Sequence, residues 1–548
     1  MGCYCSAMKT AVSYLILLVM LGLATSGCSR RQAPVDTGIR DQVLHRGNLG
    51  EPKDLDPHTV TGVTEFNIIS ALLETLVIPD PTDLHPIPGV ASSWEASSNR
   101  CEYTFHLRPD ARWSNGDPVK AGDFAFAWQR ILSPRLASPY ASMLFVVHNA
   151  QPFNAGTLTH FADVGVHVID DHTLRVTLDH PVPHFLSLLA HHVWAPVHPA
   201  TILKYGAMDQ IDNPWTEPGR YVGNGPFKLQ AWERNSRIVV VKNTNYWDAA
   251  KVKLQQIVFY PIGDHKIEEN AFRAGQLHIT GTVPLDRIDY YRRQHPDLIH
   301  LDPYLGTYYY MFNIKRPPLN NPKVRRALAM AIDRDQITRF VTKAGEAPAF
   351  HFTPPDTAGY TSTARLPTDI PQARRLLAEA GFPGGKGFPH LSLLYNTSDA
   401  HERIAQTIQQ MWQVNLGINI ELVNMEGKVC VAQMQAGDYD IGRAGWIGDY
   451  LDPMTFLDLW MSNNGNNRTG WSSPEYDRLL ATAAATADPQ ARRALLDQAE
   501  NLLMQEAPIM PIYFYRSKAL IHPAVKGWHA NLLDVHPYKF VYLEDAPP

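Results

Sequence analysis

The chain is short of cysteine, of surplus charge and of long apolar runs, and each shortage removes a class of function. Five cysteines stand among 548 residues, at 3, 5, 28, 101 and 430. None forms a CxxC pair, so neither a thiolate zinc site nor a dithiol redox centre is indicated. Lys+Arg number 49 and Asp+Glu 54, a net charge of −5. Such a chain lacks the basic surplus from which nucleic-acid affinity arises. GxSxG, HExxH, the P-loop and GxGxxG are missing, and with them the local signatures of serine hydrolysis, zinc proteolysis and nucleotide binding. Repeats and low-complexity tracts are also lacking, which excludes collagen-like and coiled-coil architectures.

The one long apolar run covers residues 11–24. It is shorter than the ~20 residues a spanning helix needs. Lys9 precedes it, and Thr25-Ser26-Gly27 follow it, directly before Cys28. A basic start, an apolar stretch and a small-residue exit make residues 1–27 a secretory signal peptide. The site resembles the lipobox of bacterial lipoproteins, with Thr25 where leucine is usual. That implies lipidation of Cys28, which becomes the mature N-terminus, and a tether over 28–40. Cleavage removes Lys9 and no acidic group. Cys101 and Cys430 are then the remaining thiols, and an export compartment permits their pairing without requiring it.

What remains is ordinary for a folded protein: 45% hydrophobic, 19% charged and 10% aromatic residues. At ~150 residues per domain the length allows three to four domains or two large lobes. Strand patterns fall at 103–107, 173–178, 238–241, 256–260 and 418–423, each bounded by turn residues. Helical spacing marks 324–332, 370–380 (ending at Gly381), 400–413 and the stretch after Asp488-Pro489. The fold class is therefore mixed α/β. Five histidines crowd 180–198 (His180, His184, His191, His192, His198) without a metal-ligand spacing, and read as surface residues. The acid pairs Asp170-Asp171 and Glu268-Glu269 read as solvated turns or helix faces.

One segment is unusual: Gly442-Arg443-Ala444-Gly445-Trp446-Ile447-Gly448-Asp449-Tyr450. If extended, its small residues let another backbone come close, and an open strand edge there accepts a peptide through main-chain hydrogen bonds. Charges at the two ends suit a zwitterion. The alternative is a Trp and an Asp in an ordinary core-to-turn transition.

This segment resembles the amine-binding stretch of the oligopeptide-binding proteins of solute-binding protein family 5. The resemblance runs along essentially the whole mature chain. It includes Leu55-Asp56-Pro57-His58, Trp113-Ser114-Asn115-Gly116-Asp117-Pro118, Ala137–Ser142, Asp170–Thr173, Asn245-Tyr246-Trp247-Asp248, Asp302–Tyr310, Leu394–His401 and Pro511–Tyr515. It implies a type II periplasmic binding fold of two lobes and a hinge, with an extra domain. The hinge lobe is expected over 41–73, 200–305 and 517–548, the inserted domain over 74–199, and the opposing ligand-binding lobe over 306–516. By the same resemblance Asp449 receives the peptide ammonium, and Arg443 and His401 face peptide carboxylates. A family lysine in that role aligns at Thr342, with Lys343 as its neighbouring substitute. Val63, Gly445 and Ile447 pair with the peptide backbone, and Tyr140, Tyr304, Tyr309, Trp446 and Tyr515 line the cleft. Gly427 stands where a pocket Trp is common, and Thr61 and Met434 where an acid and an arginine often face each other, so the pockets are expected to be roomier and less charged. The implied function is a lipid-anchored, non-enzymatic binder in the periplasm or at the cell surface. It delivers short peptides to the permease and ATPase of an ABC importer, as a monomer without cofactor, metal or nucleic acid. The alternatives are the same fold specialised for a murein tripeptide, a dipeptide, nickel or haem, and, in another class, a secreted hydrolase.

Overall fold

The structure is a computed structural model describing residues 33–486 and 488–545. The signal peptide and Cys28 lie outside the described residues, as does the first part of the tether. Three larger sheets organise the chain. The first runs Val43–Gly47, Gln256–Tyr260, Arg237–Lys242 and Phe227–Glu233 in spatial order. Ile238, Val239 and Val240 are all buried, so this inner strand is covered on both faces. The second is antiparallel: Ala91–Ala96, Glu102–Leu107, Thr173–Thr177, Val166–Asp170. Its alternating Tyr103, Phe105 and Leu107 share one core with Phe124, Ala127, Trp128 and Ile131 of the helix Ala121–Leu132.

The third sheet has six strands, ordered Ala347–Pro348, Ile509–Leu520, Ile299–Phe312, Ile441–Ile447, Leu391–Asn396 and Ile420–Met425. The helices Pro322–Met330, Ile370–Glu379, Asp399–Leu416 and Pro489–Glu506 contribute buried faces to its core. Their ends follow from local chemistry. Asp488 accepts the Ala491 amide at 2.7 Å ahead of Pro489. Gly381, at φ +99°, ends Ile370–Glu379. Strands and helices thus occur at each of the sequence-marked stretches.

Two large apolar cores result, one built mostly before residue 280 and one between 305 and 513, and Trp446 touches both. The long strands Ile299–Phe312 and Ile509–Leu520 pair antiparallel from one body into the other, with register breaks between Pro303 and Thr307 and between Tyr308 and Tyr309. Such interruptions soften a ladder where a bend is needed. The expected boundaries at 305/306 and 516/517 fall inside these two strands. The Leu55-Asp56-Pro57-His58 motif is structural: Arg130 clamps the Asp56 carboxylate, one contact being 2.9 Å, and Trp215 Nε1 donates to it at 3.2 Å. One acid pair departs from expectation. Glu268 and Glu269 are buried, because the Gly281 amide donates to Glu268 at 2.9 Å and the Tyr291 hydroxyl to Glu269 at 2.7 Å. No helix among the described residues is long and apolar enough to cross a membrane.

Candidate functional site

The strand Ile441–Ile447 is paired along its whole length with Gly306–Phe312. On its other side only Ile441 and Gly442 pair, with Leu393 and Leu394. From Arg443 to Ile447 that edge carries no strand, and its alternate amides and carbonyls face the space between the two bodies. Gly445 is exposed there, and a Cβ at this position would lie 2.5 Å from the Tyr515 hydroxyl. Glycine is what lets Tyr515 cross the strand. Val63 is exposed at the first turn of the helix Val63–Leu72, where its amide has no intrahelical partner.

Asp449 closes one end of this edge. Its side chain is 13% exposed and receives the Tyr140 hydroxyl at 3.2 Å, while His191 Nε2 lies 3.3 Å away. Its own amide donates to Thr455 Oγ1 at 2.9 Å, which fixes the turn. Burial pushes its pKa up to about 7, with the Tyr140 hydrogen bond pulling the other way. Asp458 behind it is pushed up to about 8, by burial first and then by the charge of Asp449. Among the described residues no cation pairs with Asp449 except insofar as His191 is protonated, and burial holds His191 down at about 3. The site is a desolvated carboxylate without a counter-ion. Tyr140 and His191 belong to the first body and Asp449 to the second, so the lobes meet at this group.

The opposite end is cationic. Arg443 donates to the Tyr515 hydroxyl at 2.7 Å and to Asn396 Oδ1 at 3.3 Å, lies 4.5 Å over the Tyr308 ring, and leaves Nε without a partner. His401, half-buried, shares a 3.3 Å contact with the Tyr308 hydroxyl, and burial and Arg443 together keep it well below the usual histidine range. No carboxylate pairs with Arg443 among the described residues. Tyr304 and Tyr515 approach at 6.3 Å between ring centres, and Tyr140 and Trp446 at 6.4 Å. Trp446 is held by a 2.8 Å bond from Nε1 to the Thr455 carbonyl. Tyr309 lies deeper, edge-on to Phe352 and Trp460 in the core of the second body.

Lys343 is not brought to this group. It caps the turn Ile337–Thr342 in a left-handed conformation, exposed, on an outer groove with Leu285, Asp286, Phe340 and Arg403. Thr342 points inward instead and donates to Glu346 at 2.8 Å. The lysine whose charge reaches His401 is Lys518, itself 2.7 Å from Glu346. The histidines at 184–198 are a second correction. His191, His192 and His198 are buried, and His184 stacks on Tyr450 at 5.0 Å and faces Asp452 at 3.4 Å. The His191 and His192 rings lie 4.2 Å apart, tilted by 39°, beside Tyr140. Apolar neighbours at 185, 188, 189, 193 and 194 in the sequence were the available signal that this stretch is interior. Cys101 and Cys430 are both free thiols.

Two bodies, a paired-strand hinge and a charged, aromatic cleft between them define a hinged solute-binding protein. The match to the model of bacterial extracellular solute-binding proteins, family 5 Middle, covers residues 85–468. The periplasmic oligopeptide-binding protein OppA of Escherichia coli (strain K12) is 39% identical over 530 residues, 94% of this chain and 95% of its own. The murein tripeptide binding protein MppA of E. coli superposes with a TM-score of 0.87 at 38% identity, covering 91% of this chain and 98% of that one. Its unliganded open form superposes at only 0.64, over 92% and 97%. The chain belongs to solute-binding protein family 5: it is a binding protein and not an enzyme. The lobes are described in the closed arrangement, as the Tyr140–Asp449 contact requires.

Besides the buried contact of His184 with Tyr450 and Asp452, the charged contact between the bodies is weak. The pair Lys266–Asp399, 2.8 Å, joins the bodies but is more than half exposed at both ends, and such pairs add little. Closing instead strips water from Asp449. A carboxylate raised from 3.8 to about 7 makes the empty closed form favour a proton. The penalty is therefore complete above about pH 7 and fades as pH falls through that value, and it is on the order of a few kcal/mol. Ligand-free Asp449→Asn should be more closed than the natural chain at pH 8, and the gap should narrow toward pH 5, as read by inter-lobe fluorescence energy transfer. Comparing the two chains cancels the opposite contribution of the buried histidines. A gap that stays constant or widens toward pH 5 contradicts the account.

Proposed function

We propose that the protein captures short peptides in this cleft and delivers them to the permease and ATPase subunits of an ABC importer. The observation that carries the reading is the open strand edge at 443–447 with an unpaired carboxylate at one end and an unpaired guanidinium at the other. Four residue steps span about 13 Å, the length of a short extended peptide. Asp449 receives the ammonium. Arg443 and His401 receive carboxylates, with Lys518 in the place expected of Lys343. Val63, Gly445 and Ile447 offer backbone groups. Tyr140, Tyr304, Trp446 and Tyr515 are the walls, and Tyr309 supports them from behind. Main-chain pairing explains how such a cleft accepts varied sequences, because it reads no side chain. The relatives named above, one an oligopeptide binder and one a murein tripeptide binder, support a peptide ligand. The same reading places the inserted domain at 74–199, with the two lobes on either side of the paired strands, and the protein as a monomer. It works in the periplasm or at the cell surface, held to the membrane by lipid on Cys28.

Calorimetry tests the ligand. Tri- to pentapeptides of unrelated sequence should bind, and N-acetylated versions should bind at least ~30-fold more weakly, the low end for stripping a buried charge of its partner. Equal affinity of acetylated peptides, or tight binding of nickel or haem with none of peptides, would overturn the reading. Fractionation tests the anchor. Cys28→Ser should move the protein from the membrane to the soluble fraction, and retention of the variant on membranes would count against lipidation.

A further inference from the structure

His191, whose sequence context reads as surface, reaches the carboxylate on which the proposed function depends. It caps the short turn His192–Trp194, and the Val193 amide donates to its Nδ1 at 3.5 Å. The turn itself is fixed, because Trp128 Nε1 donates to the Trp194 carbonyl at 3.0 Å in the core of the first body. The His191 ring is buried beside Phe66 at 6.4 Å, Tyr140 at 5.2 Å and His192 at 4.2 Å. Phe66 lies on the helix Val63–Leu72, three residues on from Val63. Held on these sides, His191 sets its Nε2 3.3 Å from Asp449 Oδ1.

The bond from Val193 decides which ring nitrogen carries the proton. A nitrogen that accepts an N–H is unprotonated, so Nε2 bears the hydrogen. His191 therefore presents an N–H to Asp449 and brings no charge with it. Charging the ring would set a second hydrogen against the Val193 amide, and burial opposes it as well. The distinction matters in a site that receives a cation. A lysine or arginine here would pair with Asp449 in the empty cleft and compete with the guest. A neutral donor orients the carboxylate and leaves its charge unanswered. The Tyr140 hydroxyl donates to the same oxygen at 3.2 Å. Oδ2 has no partner among the described residues and is not sealed from solvent. Both donors come from the first body and the carboxylate from the second, so closure assembles the arrangement.

We infer that His191 is a positioning residue for the amine site: as a neutral donor it meets Asp449 Oδ1 when the lobes close and, with Tyr140, leaves Oδ2 aimed at the ammonium of the bound peptide. The inference rests on the peptide reading above, with Asp449 as the partner of the amine. It gives closure a second role. Besides stripping water from Asp449, closing the lobes completes the site. The open form holds the carboxylate without either donor, so the ammonium is answered at full strength in the closed form alone.

The test is calorimetry on the whole protein with Ala-Ala-Ala and with propionyl-Ala-Ala, which lacks the α-amino group and is measured by displacement. His191→Phe keeps a ring and removes the N–H, and His191→Gln returns an N–H donor near the place of Nε2. His191→Phe should weaken Ala-Ala-Ala about tenfold, the scale of a hydrogen bond to a charged group, and leave propionyl-Ala-Ala within about threefold. His191→Gln should stay within about threefold of the natural chain for both ligands. Equal losses for the two ligands, the pattern of a merely structural histidine, would overturn the inference. So would a His191→Phe variant that binds Ala-Ala-Ala as well as the natural chain does, or a His191→Gln variant as weak as His191→Phe. Where His191→Phe does not fold, His191→Leu replaces it in the same comparison. Failure of Ala-Ala-Ala to bind the natural chain would instead overturn the peptide reading, and equal natural-chain affinities for the two ligands would overturn Asp449 as the partner of the amine.

Discussion

A carboxylate that loses its water when the lobes meet governs the behaviour of this protein. Asp449 sits between Tyr140, His191 and the Ile441–Ile447 strand, and in the empty closed cleft its charge has no partner. Burial raises its pKa from 3.8 to about 7 against the downward pull of the Tyr140 hydrogen bond. The exposed Lys266–Asp399 pair between the bodies adds little against that penalty. On the proposed reading a bound ammonium removes it, and closure and occupancy are coupled through this one group, in the sense that a ligand shifts a two-state equilibrium by its differential affinity for the states. The hinge needs no trigger of its own; two paired strands with broken register are soft enough to follow.

Under the proposed function, the arrangement makes recognition generous at the main chain and exacting at the ends. The open edge from Arg443 to Ile447 offers backbone groups that any peptide satisfies. The charged ends are surrounded by aromatic rings that exclude water, which strengthens each electrostatic contact. Gly445 matters to this division of labour. Only a residue without Cβ lets the Tyr515 hydroxyl lie over the strand and orient Arg443 at 2.7 Å.

Much of the architecture was legible in the sequence. Alternation at Tyr103–Leu107, continuous burial at Ile238–Val240, and the Asp488-Pro489 and Gly381 ends of helices are local signals, and local chemistry decided them. Asp449 and Arg443 stood out in the sequence because both lie in one segment whose pattern of small, aromatic and charged residues is itself unusual, and the structure sets both at the open strand edge. The rest depended on contacts far apart in the chain. His191 and His192 read as surface histidines until the first body folds over Asp449, more than 250 positions away. Glu268 and Glu269 read as solvated until Gly281 and Tyr291 donate to them. Lys343 fails for a local reason: one left-handed residue turns it outward, and Lys518, from a strand that returns late in the chain, supplies the charge near His401.

The most direct measurement is a double-mutant cycle by calorimetry, pairing Asp449→Asn in the protein with removal of the α-amino group from the peptide, as in Ala-Ala-Ala against propionyl-Ala-Ala. If the buried acid and the ammonium answer each other, either change alone should abolish most of the affinity and the second should add little, a coupling of about 2–5 kcal/mol. Effects that simply add, within about 0.5 kcal/mol, would mean that the ammonium rests elsewhere.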